Sequence, residues 1–125
     1  MLGDSGLSIL EREMIAVVVS SANRCYYCQV AHGAAVREYA EDPVLGEFMI
    51  MNYRNAKLTT RQRAMLDFTY KLTTKSHLVG EVDRQALRDA GFSDADIWDI
   101  CDVVGLFNMT NRVAAGVDMM PNSEY

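Results

Sequence analysis

Residues 8–32 read SILEREMIAVVVSSANRCYYCQVAH, and the register of this stretch decides the fold. Ser8 with Glu11 three residues on forms a capping box, in which a hydroxyl and a carboxylate take up amide hydrogens that a helix start leaves unpaired. The spacing predicts a helix from Ser8 to about Ser21, with Leu10, Met14, Val17, Val18 and Ser21 on one face. Ile15 and Val19 fall on the far side, so this helix is apolar nearly all round, as expected of a buried helix or a subunit interface. Glu13 flanks the apolar stripe, whereas Glu11 and Arg12 are expected to point further outward. Ala22, Asn23 and Arg24 form the break before a second helix that begins near Cys25.

Helical spacing persists through the rest of the chain. The second helix is expected to reach about Ala40, ahead of Pro43, with Val30, Ala34 and Ala35 small enough for close helix approach. A short third helix follows from Val44 to about Asn52. Thr59 or Thr60 caps a fourth, Arg61 to Thr74, with Met65, Leu66, Phe68, Thr69 and Leu72 inward. The fifth runs from Glu81 to Ala90 and stops at Gly91, and Ser93, with Asp94 and Asp96 behind it, opens a sixth to about Gly116 or Val117. Two prolines, eight glycines and no strict alternation make this an all-α domain of about six helices over residues 1–125, without internal repeats.

A chain of 125 residues that is 50% apolar has enough for one core and is too hydrophobic to be disordered. Twelve basic against seventeen acidic side chains give a net charge of −5, which repels phosphate backbones and anionic lipid, so nucleic acid is not an expected partner. The longest apolar run, Met14 to Val19, is far too short to span a bilayer. Its lead-in, Glu11-Arg12-Glu13, is unlike a secretory signal, and the expected location is cytoplasmic. The apolar first and sixth helices predict an oligomer, because so small a monomer has little room to bury both all round.

Chemistry concentrates in Cys25-Tyr26-Tyr27-Cys28 and His32. On a helix, steps of three and seven residues keep these two thiols and the imidazole within a sector of about 60°. The unpaired amide hydrogens and positive dipole end of a helix N-terminus favour a thiolate there, and His32 can accept and return its proton. Glu13 is the candidate carboxylate to hold the imidazole. Other readings remain open. The Cys-x-x-Cys pair can hold structural zinc if Cys101, His77 or a second subunit supplies a fourth ligand, it can exchange disulfides with a protein or lipoyl partner, or the chain can be a structural oligomer without catalysis. A c-type haem is excluded because Gln29 stands where its histidine is needed, and no cofactor is implied. Cys101, within the apolar run Trp98 to Met109, is expected to be a small buried hydrophobe, and His77 a solvated loop residue. The methionines and Trp98 are expected to fill core or interface, and Tyr26 and Tyr27 either to line a substrate channel or to pack.

The arrangement of Glu13, Cys25, Cys28 and His32-Gly33 resembles the core motif of the AhpD-like alkylhydroperoxidases, in the carboxymuconolactone decarboxylase superfamily. It is most similar to the branch called peroxidase-related enzymes, and the segments Leu58 to Phe68 and Gly91 to Arg112 extend the likeness over most of the chain. The resemblance implies an all-helical fold that assembles as trimers or hexamers, and a thiol peroxidase acting on hydrogen peroxide or organic hydroperoxides. It further implies that Cys28 attacks the peroxide to become a sulfenic acid, Cys25 resolves it as a disulfide, Glu13 and His32 relay protons, and a thiol or dihydrolipoyl-type reductant restores the pair. Active relatives often carry a histidine between the cysteines where this chain has Tyr27, which implies a relay member that is absent or replaced by a phenol. The chain starts twelve residues before Glu13, so part of the relatives' N-terminal fold or pocket is expected to have no counterpart here. The superfamily's decarboxylases lack the cysteine pair, and their reaction is not expected.

Overall fold

The computed structural model describes residues 5–120, among which lie six α-helices, two short 3-10 helices and no strand. Helix α1 (Ile9–Ala22) is capped as its sequence predicts: Ser8 Oγ accepts from the Glu11 N–H at 3.0 Å and a Glu11 oxygen accepts from the Ser8 N–H at 2.9 Å. It is the central element. Every residue from Met14 to Ser20 is buried, against α2 (Tyr26–Ala40), α3 (Pro43–Asn52), α4 (Thr60–Thr74) and α6 (Asp94–Gly116). The fifth helix, α5 (Glu81–Asp89), lies across α4 and α6 and contributes Leu87 to the core.

Local chemistry sets the boundaries. Pro43 takes the first position of α3, where a missing N–H costs nothing, and Asp42 caps it. Of the two threonines proposed to cap α4, Thr59 does so, with Gln62 completing a capping box. Ser93 and Asp96 form another at α6. Gly91, at φ +100°, supplies the left-handed residue that turns the chain from α5 toward α6.

The expectation for Glu11 and Arg12 is corrected by how deeply α1 is wrapped. Glu11 and Arg12 do not point outward; each is only 9% exposed. A helix start enclosed in the core must pair its polar groups, and here Arg61 of α4 donates to Glu11 at 2.8 Å while Arg12 donates to the Leu7 carbonyl at 3.1 Å. The all-round apolar pattern of α1 is buried within one chain from Met14 to Ser20, while Ile9 at its start is exposed. Of the residues expected to fill core or interface, Met14, Met49 and Met65 are buried, whereas Trp98, 71% exposed on α6, Met51, Met109 and Met120 stand outside the core of the single chain.

The close approach of α2 to α3 is made by glycines, which the sequence reading did not single out. A Cβ on Gly33 would collide with Ile50 of α3, and one on Gly46 would lie 3.2 Å from the Gly33 carbonyl oxygen. This crossing fixes α2 against α3 immediately after His32.

Candidate active site

The turn from α1 into α2 places the first thiol. Asn23 ends α1, Arg24 takes a left-handed conformation at φ 56°, and the Cys25 N–H returns to the Ser20 carbonyl at 2.9 Å. Cys25 is thereby the N-cap of α2, and its carbonyl accepts the first helical hydrogen bond from Gln29. Cys28 follows in the first turn. Both are free thiols, 6% and 4% exposed, packed together in one cluster with Tyr27 and with Ala114 of α6.

One turn further along α2, His32 faces α1. Its Nδ1 lies 2.7 Å from Glu13 Oε2, with side chains 24% and 17% exposed. An ionised carboxylate can only accept, so the hydrogen sits on Nδ1 and the Nε2 lone pair is left to act as a base. Phe107 of α6 holds the imidazole edge-on, with ring centroids 4.7 Å apart. The four residues singled out by the sequence therefore form two contacting pairs, Glu13 with His32 and Cys25 with Cys28, joined through one turn of α2.

The electrostatics correct one expectation. A helix N-terminus was expected to favour a thiolate, yet the Cys28 thiol is pushed up to about 12, chiefly by burial and then by the adjacent Cys25. Asn111 and the backbone N–H of Cys28 pull the other way without prevailing. Desolvation of a sealed sulfur outweighs the helix terminus, so Cys28 rests as a thiol. Burial likewise raises Cys101, which is partly buried halfway along α6, packed against the main core.

Cys25 reaches a surface cleft of about 140 Å³ lined by Arg24, Tyr26, Tyr27, Met119 and Met120. Tyr26 is exposed and Tyr27 half-buried, so one phenol borders the opening and the other also packs on the thiols. His77 lies exposed in the 3-10 turn Ser76–Leu78. Among the described residues no group of three or more His, Cys, Asp or Glu side chains is placed to hold a metal ion, so neither His77 nor Cys101 completes a zinc site with the pair.

Sequence reasoning missed Asn111, a 2% exposed amide of α6 that touches Cys28. A signal existed. Ile97, Ile100, Val104, Phe107, Asn111 and Ala114 follow the three-and-four spacing of a buried stripe, on which a polar residue must find partners.

A helical bundle that sets a Cys-x-x-Cys pair at one helix start, backed by a carboxylate and an imidazole, defines a class of small thiol proteins. Residues 1–44 match the carboxymuconolactone decarboxylase family. A crystal structure of an uncharacterised peroxidase-related protein from Silicibacter sp. TM1040 is 64% identical, with a TM-score of 0.98 over 100% of this chain and 65% of its own. A second, described as an alkylhydroperoxidase AhpD core and uncharacterised peroxidase-related protein from Ralstonia eutropha JMP134, is 48% identical, with a TM-score of 0.96 over 99% of this chain and 65% of its own. The debrominase Bmp8, at 17% identity over 95% of this chain and 63% of its own with a TM-score of 0.82, shares the fold. The chain thus spans just under two thirds of the length of the first two structures. No curated protein is significantly similar to it. These matches support the AhpD-like superfamily: residues 1–44 fit the carboxymuconolactone decarboxylase family, and the described residues share their fold with the two peroxidase-related structures. Among the described residues no helix is long and apolar enough to cross a membrane.

Proposed function

We propose that this chain, as one domain over residues 1–125, is a cytoplasmic thiol peroxidase that reduces hydrogen peroxide or organic hydroperoxides through a Cys25–Cys28 disulfide cycle. The observation that carries this reading is the 2.7 Å Glu13–His32 contact one helical turn from a pair of touching thiols. Because Cys28 rests protonated, catalysis starts when its proton passes to His32 Nε2, with Glu13 stabilising the imidazolium. The thiolate sulfur attacks one peroxide oxygen; the S–O bond forms, the O–O bond breaks, and the alcohol or water leaves with the proton from His32. Cys25 then attacks the sulfenic sulfur; an S–S bond forms and the oxygen departs as water, taking up the Cys25 proton. Two electrons have passed from the dithiol to the peroxide. A thiol or dihydrolipoyl-type reductant reopens the disulfide by exchange. In this reading Tyr26 and Tyr27 border the access route, and the exposed apolar side chains Trp98, Met109 and Val113 of α6 support assembly as a trimer or hexamer.

Stopped-flow oxidation by a hydroperoxide, with thiol counting, tests this. Wild type is expected to lose two of its three thiols per peroxide reduced, and Cys28→Ser to lose none rapidly. A wild type that keeps all its thiols at micromolar peroxide overturns the proposal. A second reading, disulfide exchange with a protein or lipoyl partner, is favoured by one observation: Cys25, not Cys28, opens on the cleft. Faster reaction with an oxidised lipoyl compound than with peroxide would select it.

A further inference from the structure

We propose that Asn111 is a catalytic residue of this site, whose side-chain amide donates a hydrogen bond to the Cys28 sulfur and stabilises the thiolate that forms there. The inference rests on reading Cys28 as the reacting sulfur, and it is carried by a chain of hydrogen bonds that leaves the Asn111 amide only one orientation. Ser20 Oγ donates to the Ala16 carbonyl at 2.6 Å, so its hydrogen is committed and it can only accept from Asn111 Nδ2, which lies 3.1 Å away. From the other side, the Arg112 guanidinium, a donor without acceptor capacity, reaches Asn108 Oδ1 at 3.0 Å and fixes that amide. Asn23 Nδ2 then donates both of its hydrogens, to Asn108 Oδ1 at 2.9 Å and to Asn111 Oδ1 at 3.1 Å.

Both ends of the chain therefore turn the Asn111 oxygen toward Asn23 and its nitrogen toward Ser20. The amide nitrogen carries two hydrogens, and Ser20 takes one. The second is left over on the sulfur side: Ala114, one turn further along the same face of α6, packs on Cys25 and Cys28, and Asn111 works to lower the Cys28 thiol. A purely structural amide in the α1–α6 contact would be accounted for by Asn23 and Ser20 alone; the remaining donor is left beside a sulfur only 4% exposed, which water cannot solvate. Asn111 also joins the two ends of the site, because its acceptor side grips Asn23, two residues before Cys25.

The test uses the full chain carrying Cys25→Ser and Cys101→Ser, so that Cys28 is the one thiol, and measures iodoacetamide alkylation against pH. Asn111→Ala is expected to move the alkylation midpoint upward and slow the reaction at pH 8 by about ten-fold, corresponding to about 1.4 kcal/mol. Asn111→Asp, which sets a carboxylate against the sulfur, is expected to move it further the same way. Met109→Ala, at an exposed position of the same helix, is expected to stay within about two-fold of the parent. If Asn111→Ala does not fold, Asn111→Ser carries the same prediction. A folded variant with an unchanged midpoint, or one that loses thermal stability without any change in the pH profile, overturns the proposal. The readout involves no peroxide, so a chain that reduces no hydroperoxide would sink the function proposed above and leave this result standing.

Discussion

Glu11 and Glu13 sit two positions apart on α1, about 200° around the helix from each other, and they face different partners. Glu11, its side chain 12% exposed, closes the helix start and takes a hydrogen bond from Arg61 at 2.8 Å. Glu13, 17% exposed, takes one from His32 at 2.7 Å. Burial and geometry are nearly matched. The difference is the partner: a guanidinium keeps its proton throughout the physiological range, so the Glu11 pair can only hold α1 to α4, whereas an imidazole can take and release one. A carboxylate on this helix becomes chemical because of what it faces.

The contrast can be broken by exchanging carboxylate for amide at each position. Glu13→Gln is expected to lower kcat/KM for hydroperoxide by about a hundred-fold, the usual scale for disabling an acid–base couple, while the melting temperature stays within about 1 °C; equal losses of rate and stability would make the two carboxylates alike. Glu11→Gln is expected to do the reverse, costing about 1–2 kcal/mol through a weakened cap and ion pair, seen as a melting temperature lower by about 5 °C, with turnover within about two-fold of wild type.

Alkaline melting sharpens the same contrast from the sulfur side. The folded chain keeps the Cys28 proton up to about 12, above the ordinary thiol value of 9.0, whereas the unfolded chain loses it earlier. The folded state therefore holds more protons in that window, and stability falls as pH rises from about 9 toward about 12. Tyr53, raised by burial and by its hydrogen bond to Asp67, adds to the fall with the same sign. Cys28→Ser is expected to make the decline shallower without removing it, as read by thermal melts across that range. The smallest effect is expected at Cys101→Ser: with its thiol away from the pair and packed on the core, peroxide turnover should stay within about two-fold and the melting temperature within a few degrees.

Legibility followed sequence distance. The capping boxes at Ser8, Thr59 and Ser93 were readable because each is settled within four residues, and Cys25, Cys28 and His32 because one helix carries all three. Glu13 was reachable through its spacing to Cys25. Asn111 was not, since it meets Cys28 only after α6 packs across the start of α2. Glu11 and Arg12 were misjudged because their burial depends on how many helices enclose α1, and the choice between core and interface for Trp98 stayed open because an apolar run does not say which of its residues face outward. The raised Cys28 thiol was hidden for a related reason: the helix terminus is visible in the sequence, but the sealing of the sulfur is a tertiary property.

Gly33 comes directly after His32, and α3 presses against α2 at that point with Gly46 set 3.2 Å, measured from where its Cβ would stand, from the Gly33 carbonyl oxygen. The third helix is thus a buttress behind the imidazole. At the level of His32, α2 therefore has no room to move closer to α3. A methyl group at either glycine would loosen the catalytic angle from behind, without touching a single reacting atom.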